Sequence, residues 1–140
     1  MIGPGTGLAP MRALLQEREF QAKQQESTMK KVIATATNVL FFGCKNKGVD
    51  YIYREELEAY QARGVLTALH TAFSRDGPSK VYVQGLMTED ATAANIVNLL
   101  FAEGAYVYVC GATAMGSDVH AAFNSILQKH KGESAYLHLI

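Results

Sequence analysis

Hydrophobic positions fall into two kinds of segment that alternate along the chain. Short apolar runs occur at Val39-Leu40-Phe41-Phe42, from 65 to 73, and at Tyr106-Val107-Tyr108-Val109. They are rich in β-branched and aromatic residues, end in Gly or a polar pair, and lack a clean polar alternation. That combination predicts strands covered on both faces. Between them the spacing turns helical. Leu8, Met11, Leu14 and Leu15 form one stripe, with Arg12, Glu17 and Arg18 on the opposite face. Asp50 is placed to cap a helix carrying Tyr53, Leu57 and Tyr60 inward, which Gly64 stops. Ile96, Val97, Leu100 and Phe101 form a third stripe, ended by Gly104, and Val119, Phe123, Ile126 and Leu127 a fourth, before Lys129 and Gly132. Strands alternating with helices imply an α/β fold, a parallel sheet with helices on both faces. Residues 21–37 carry no sustained stripe and are predicted as a helix end followed by a solvated connector. The spacing over Lys80 to Met87 fits strand or helix equally.

Composition narrows the class. The 140 residues suit one core, and 49% apolar against 19% charged residues describe a globular chain. Thirteen basic side chains balance thirteen acidic ones, so no net field favours nucleic acid or an anionic membrane. Two cysteines are too few for a disulfide scaffold or a thiolate zinc site. The histidines form no His-x-x-x-His pair, and no metal site is expected. The longest uncharged stretch, about fourteen residues, falls short of the roughly twenty a membrane span needs. The opening MIGPGTGLAP lacks the basic region and leucine-rich core of a signal peptide, so cytoplasmic placement is expected.

Candidate chemistry starts at the front of the chain. Gly3-Pro4-Gly5-Thr6-Gly7 precedes the first helical stripe. Glycines so spaced permit a tight turn and close approach of backbone amides, and the helix start behind them favours a phosphate. Thr6 adds a hydroxyl. No Gly-Lys-Ser/Thr follows, which argues against an ATP or GTP loop, and Pro10 stands where a dinucleotide fingerprint ends in glycine.

Gly3-Pro4-Gly5-Thr6-Gly7-Leu8-Ala9-Pro10 resembles the pyrophosphate loop of the ferredoxin–NADP reductase superfamily. Phe41-Phe42-Gly43-Cys44, then Asp50-Tyr51-Ile52-Tyr53-Arg54-Glu55-Glu56-Leu57, resembles its diflavin branch, the cytochrome P-450 reductases most of all. Ala72-Phe73-Ser74-Arg75-Asp76 and Lys80-Val81-Tyr82-Val83-Gln84 are similar to that branch's NADP phosphate-binding segments. Val107-Tyr108-Val109-Cys110-Gly111, with Met115 and Asp118 behind it, resembles the strand facing the nicotinamide.

The resemblance implies that residues 1–140 are one NADP(H)-binding domain with a parallel sheet of about five strands. It implies that Ser74, Arg75 and Lys80 hold the 2′-phosphate, that Tyr82 stacks on adenine, and that Gln84 bonds adenine or ribose. Two charged hydrogen bonds would favour NADPH over NADH by ~10²-fold. Gly111, Met115 and Asp118 are implied on the cofactor, and Cys110 beside nicotinamide C4 as the residue that assists hydride transfer. Over Lys80 to Met87 the family pattern implies extended chain passing into helix.

Departures from that pattern point to a piece of a larger flavoprotein. Only Met1 and Ile2 precede the glycines, and the final strand with its aromatic residue is lacking; the chain has no Trp. Its first and last strands are thus expected to be truncated or missing, with 134–140 ending inside the last helix. The FAD domain, its Arg-x-Tyr-Ser type motif and the FMN domain are absent, and Ala112 replaces the aspartate usual after Cys-Gly. The implied function is transfer of hydride from NADPH to FAD, then of electrons to FMN and a haem acceptor such as cytochrome P-450. The isolated chain is expected to bind NADP(H) without turnover and without FAD or FMN of its own. The implied partners are NADPH, the FAD domain of the same polypeptide and the haem acceptor. The resemblance also allows the cytosolic face of the endoplasmic reticulum, through an anchor outside this chain. Two alternatives stay open: a free-standing NADP-binding interaction module, and another diflavin enzyme such as the sulfite reductase flavoprotein.

Overall fold

The computed structural model describes residues 1–29 and 36–131. The Gly5–Gly7 turn is 3-10 and leads into α1, Leu8–Met29. Then come β1 (Val39–Cys44), a single helical turn α2 (Lys47–Asp50), α3 (Arg54–Ala62) and β2 (Ala68–Phe73). The second half is helical: α4 (Val83–Met87), α5 (Asp90–Phe101) and α6 (Thr113–Lys131).

β1 and β2 pair in parallel, from Val39 opposite Ala68 to Cys44 opposite Phe73. Ile2 forms a parallel bridge to Phe41 on one side and to Val109 on the other. Its N–H donates to the Tyr108 carbonyl (2.8 Å) and its carbonyl accepts from the Cys110 N–H (3.0 Å). The spatial order is therefore β2, β1, Ile2, Val109, all parallel. The expected five strands reduce, among the described residues, to one two-stranded sheet extended by two single-residue bridges.

Alternation along β1 explains the two-sided core. Leu40 and Phe42 point to one face, where Leu8, Met11 and Leu15 of α1 and Leu57 and Tyr60 of α3 are buried against them. Phe41 points to the other face, toward Met87, Ile96, Val97, Val119 and Ile126 of α4, α5 and α6. Helices thus cover both faces, as the segment alternation predicts.

Several local expectations are corrected. The 65–73 run enters the sheet only at Ala68; Val65 and Leu66 are buried in the preceding turn. Asp50 does not cap α3. Its carboxylate accepts the Asn46 N–H (2.9 Å) and so closes the α2 turn instead. Tyr53 precedes α3 at φ 57° and is exposed, its ring under the Arg12 guanidinium (4.3 Å), leaving Leu57 and Tyr60 as the buried stripe. In α5 Leu99 is buried and Phe101 exposed. Helix α1 runs through the first half of 21–37, to Met29; 30–35 and the predicted last-helix segment 134–140 lie outside the described residues. The largest correction concerns 106–109. Tyr106 is 83% exposed, and Val107, Tyr108 and Val109 are 41–44% exposed, not covered on both faces. Val109 bridges only Ile2, so this segment forms the sheet's open edge among the described residues.

Helices α1 and α3 are locked by a polar network above the core. Arg12 donates to Glu56 (2.7 Å), which also accepts the Tyr60 hydroxyl (2.9 Å), and Arg63 pairs with Glu19 (2.8 Å). The Arg12 guanidinium holds the Glu56 carboxyl below its ordinary pKa. Burial, reinforced by Glu56, pushes the Tyr60 hydroxyl up to about 12.

On the opposite face of the sheet, His70 stacks flat on Phe41, with ring centroids 4.6 Å apart and planes 10° from parallel. Burial pushes its imidazole below the ordinary value of 6.5, Glu89 opposing more weakly. The native state therefore favours neutral His70. Its contribution to stability is complete above pH 6.5 and is lost as pH falls below that value. Thermal melts from about pH 7.5 down to about 5.5 should show the wild type losing stability faster than His70→Phe, which keeps the stack without the charge. Identical acid-side slopes would remove His70 from the account.

Candidate functional site

The winding order places a switch point between Ile2 and Val109. From Ile2 the chain moves one way through β1 to β2, then returns across the sheet to Val109. In open parallel sheets ligands bind outside the carboxyl ends at such a point. Two loops leave the sheet there, Gly3 to Gly7 after Ile2 and Cys110-Gly111 after Val109.

These loops touch through backbone. A Cβ on Gly7 would overlap the Cys110 carbonyl oxygen and lie 2.7 Å from its carbon. A Cβ on Gly3 would overlap the Gly7 carbonyl oxygen and lie 2.9 Å from Met11 Cγ. Gly5 instead has φ +56° and open space around it, so its need for glycine is conformational. Pro4 sits beside Gly43 at the end of β1 and beside Gly111; Met115, in the first turn of α6, crosses over Gly111. Thr6 is exposed at the tip. The sequence-predicted Gly3, Pro4, Gly5, Thr6, Gly7, Cys110, Gly111 and Met115 thus gather at one place. Cys110 is partly buried against the α1 side of the core.

Gln84 and Asp118 also meet, across α4 and α6, with the Gln84 amide donating to the Asp118 carboxylate (3.3 Å). Residues 80–82 are outside any regular element, with Tyr82 extended, and Val83 starts the helix, so the Lys80 to Met87 segment is irregular chain passing into helix. Tyr82 is 47% exposed at that junction, offering a ring face to solvent.

Ser74, Arg75 and Lys80 lie on the loop after β2, two strand positions from the glycine loop, or ~10 Å at the usual spacing. This loop is laid along the one after β1. Ser74 N–H donates to the Cys44 carbonyl (3.0 Å) and Arg75 N–H to the Lys45 carbonyl (2.9 Å), extending the sheet ladder beyond the strand ends. The pairing brings in Lys45 and Lys47, which sequence reasoning missed. Their signal was position: both follow the carboxyl end of β1, beside the segment carrying Arg75. Burial, with Asp50 and Asp76 adding to it, pushes the Cys44 thiol up, consistent with a packing role.

The electrostatics of these two loops set them apart. Arg12, Lys23, Arg54, Arg63 and Lys129 are all engaged in ion pairs. Among the described residues Lys45, Lys47, Arg75 and Lys80 are in none and all four are exposed, as against the half-buried Arg18 of α1, also in none; Lys45, Lys47 and Arg75 lie on the paired loops after β1 and β2, and Lys80 further along the second. A cluster of exposed cations without ion pairs is a local region of positive potential on a chain of zero net charge. No three His, Cys, Asp or Glu side chains come together among the described residues, and none of their helices is long and apolar enough to cross a membrane.

Comparison with known proteins agrees with this geometry. Residues 1–121 match the family model of the oxidoreductase NAD-binding domain. The chain is 40% identical over 128 residues to the NADPH–cytochrome P-450 reductase of Sus scrofa, covering 91% of this chain and 18% of that protein. It is 44% identical over 130 residues to the reductase of the same name in Dictyostelium discoideum, covering 92% and 18%. To the sulfite reductase [NADPH] flavoprotein alpha-component of Vibrio vulnificus it is 42% identical over 130 residues, covering 92% and 19%. The chain spans less than a fifth of the length of these relatives. Its parallel α/β core, its glycine loop at the switch point and these similarities agree: the chain belongs to the oxidoreductase NAD-binding domain family.

Proposed function

We propose that this chain binds NADP(H) and presents its nicotinamide to a flavin carried by a partner domain. The observation that supports NADP(H) over NAD(H) is the set of unpaired cations, Lys45, Lys47, Arg75 and Lys80, at the edge of the sheet. The ribose 2′-phosphate is the feature that distinguishes the two nucleotides, and it needs such a set.

The proposed roles follow position. Arg75 offers a planar fork of donors to the 2′-phosphate, Ser74 a hydroxyl, and Lys80 a mobile charge. The exposed Tyr82 ring stacks on adenine, and Gln84, oriented by Asp118, bonds adenine or ribose. The Gly3 to Gly7 loop, with Thr6 at its tip, takes the pyrophosphate ahead of α1. Gly111 and Met115 shape the nicotinamide end, where Cys110 positions the ring and takes no covalent part. When bound, NADPH supplies a hydride from its nicotinamide. FAD as the hydride acceptor and then FMN are proposed from the resemblance to the diflavin branch, and a haem protein such as cytochrome P-450 from the names of the relatives. No segment of these residues selects among final acceptors.

Calorimetric titration of the chain with NADP and NAD tests the assignment. NADP should bind ~10²-fold more tightly, the effect of about two charged hydrogen bonds. Equal affinities would overturn the 2′-phosphate site.

A further inference from the structure

One carboxylate sits among the unpaired cations, and its bonding is unexpected. Asp76 directly follows Arg75, yet its oxygens accept from neutral donors: the Lys47 backbone N–H (2.8 Å) and the Asn46 side-chain amide (3.1 Å). The same Asn46 amide reaches back to the Arg75 carbonyl (3.3 Å). Asn46 is itself fixed, since its N–H donates to Asp50 (2.9 Å) and its carbonyl accepts the Asp50 N–H (2.8 Å). The bonds form consecutive rungs. Cys44 holds Ser74, Lys45 holds Arg75, and Asn46 with Lys47 is held by Asp76.

Backbone rungs end at Arg75, and among the described residues the Asp76 carboxylate alone ties the stretch from 76 to 80 to the loop after β1. We propose that Asp76 is a positioning residue for 2′-phosphate recognition. Its carboxylate is satisfied by amide N–H groups, clamps the Arg75 loop to the Lys45 and Lys47 loop, and leaves the four cations without an ion pair. The inference rests on the 2′-phosphate site proposed above. It also opposes the simpler expectation from charge alone, under which an acid next to a phosphate site weakens binding and its removal tightens it.

The test uses the chain with 2′,5′-ADP (adenosine 2′,5′-bisphosphate) and 5′-AMP, which differ only in the 2′-phosphate. In calorimetry Asp76→Ala should bind 2′,5′-ADP ~10-fold more weakly while 5′-AMP stays within ~2-fold, since a charged hydrogen-bonded clamp on the 2′-phosphate side is lost and the contacts to the rest of the nucleotide are untouched. Asp76→Asn, which retains an acceptor for the Lys47 N–H, should fall between Asp76→Ala and wild type. Asp76 is exposed on a loop, so thermal melts should show all three proteins equally folded. Unchanged or tighter 2′,5′-ADP binding by Asp76→Ala overturns the clamp, and so does an equal loss for both ligands. If wild type itself does not prefer 2′,5′-ADP, the 2′-phosphate site fails at its root, a result separable from failure of the clamp.

Discussion

Arg75→Ala should abolish most of the discrimination between NADP and NAD and leave NAD affinity unchanged. The loop after β2 holds Arg75 by its backbone N–H on the Lys45 carbonyl (2.9 Å), so the main chain, with no partner acid, fixes where the side chain starts. Among the described residues Arg75 has no ion pair to break before it meets the proposed 2′-phosphate. A planar fork to a phosphate oxygen pair forms charge-assisted hydrogen bonds of about 1.5–3 kcal/mol each, so one lost arginine corresponds to ~10- to 100-fold in affinity. Lys80→Ala should cost less, because Lys45 and Lys47 still contribute charge from the adjoining loop. Titrations at two salt concentrations would separate the terms, the lysine contribution falling with salt more than the geometric arginine contribution. If Arg75→Ala weakens NAD and NADP equally, the residue supports the loop and not the 2′-phosphate.

Gly7→Ala is expected to be the most damaging single substitution for the fold around the site. Its new methyl would meet the Cys110 carbonyl, a backbone group pinned by the Cys110 N–H on the Ile2 carbonyl (3.0 Å). Neither side can yield without separating Ile2 from Val109, among the described residues the only bridge that holds the 106–109 segment to the sheet. Overpacking against rigid neighbours costs about 1–3 kcal/mol and sometimes more, and the upper end applies where the neighbour is backbone. Gly5→Ala makes the informative contrast. Its Cβ meets nothing, so only the left-handed φ of +56° is strained, at roughly 1–2 kcal/mol. Urea melts should rank wild type above Gly5→Ala and Gly5→Ala above Gly7→Ala, with nucleotide binding lost in the last. Equal stability of the two variants would mean that the glycine loop and Cys110 are not in backbone contact.

Much of the site was legible in the chain because its elements are local. Ser74-Arg75 and Cys110-Gly111 each follow an apolar run, the glycine loop follows Ile2, and in a parallel sheet such segments end at the same edge. Lys45 and Lys47 went unseen because a lysine after a strand looks like any solvated charge. Only the rungs from Cys44 to Ser74 and from Lys45 to Arg75 bring those lysines beside the arginine. The 106–109 run misled for the converse reason. Its β-branched and aromatic composition specifies a strand, but a strand is covered only if neighbours flank it, and composition carries no count of neighbours.

The sequence by itself determined the alternation of strand and helix, the parallel α/β class and the loops that carry chemistry, since these depend on period and on residues adjacent in the chain. Tertiary structure decided the order β2, β1, Ile2, Val109, and with it the switch point where the glycine loop meets Cys110. It also decided which cations remain unpaired and that Asp76 bonds amides in place of them. Pairing partners lie tens of residues apart, and their choice depends on distances that exist only after the core of Leu40, Phe41 and Phe42 has drawn the helices onto both faces.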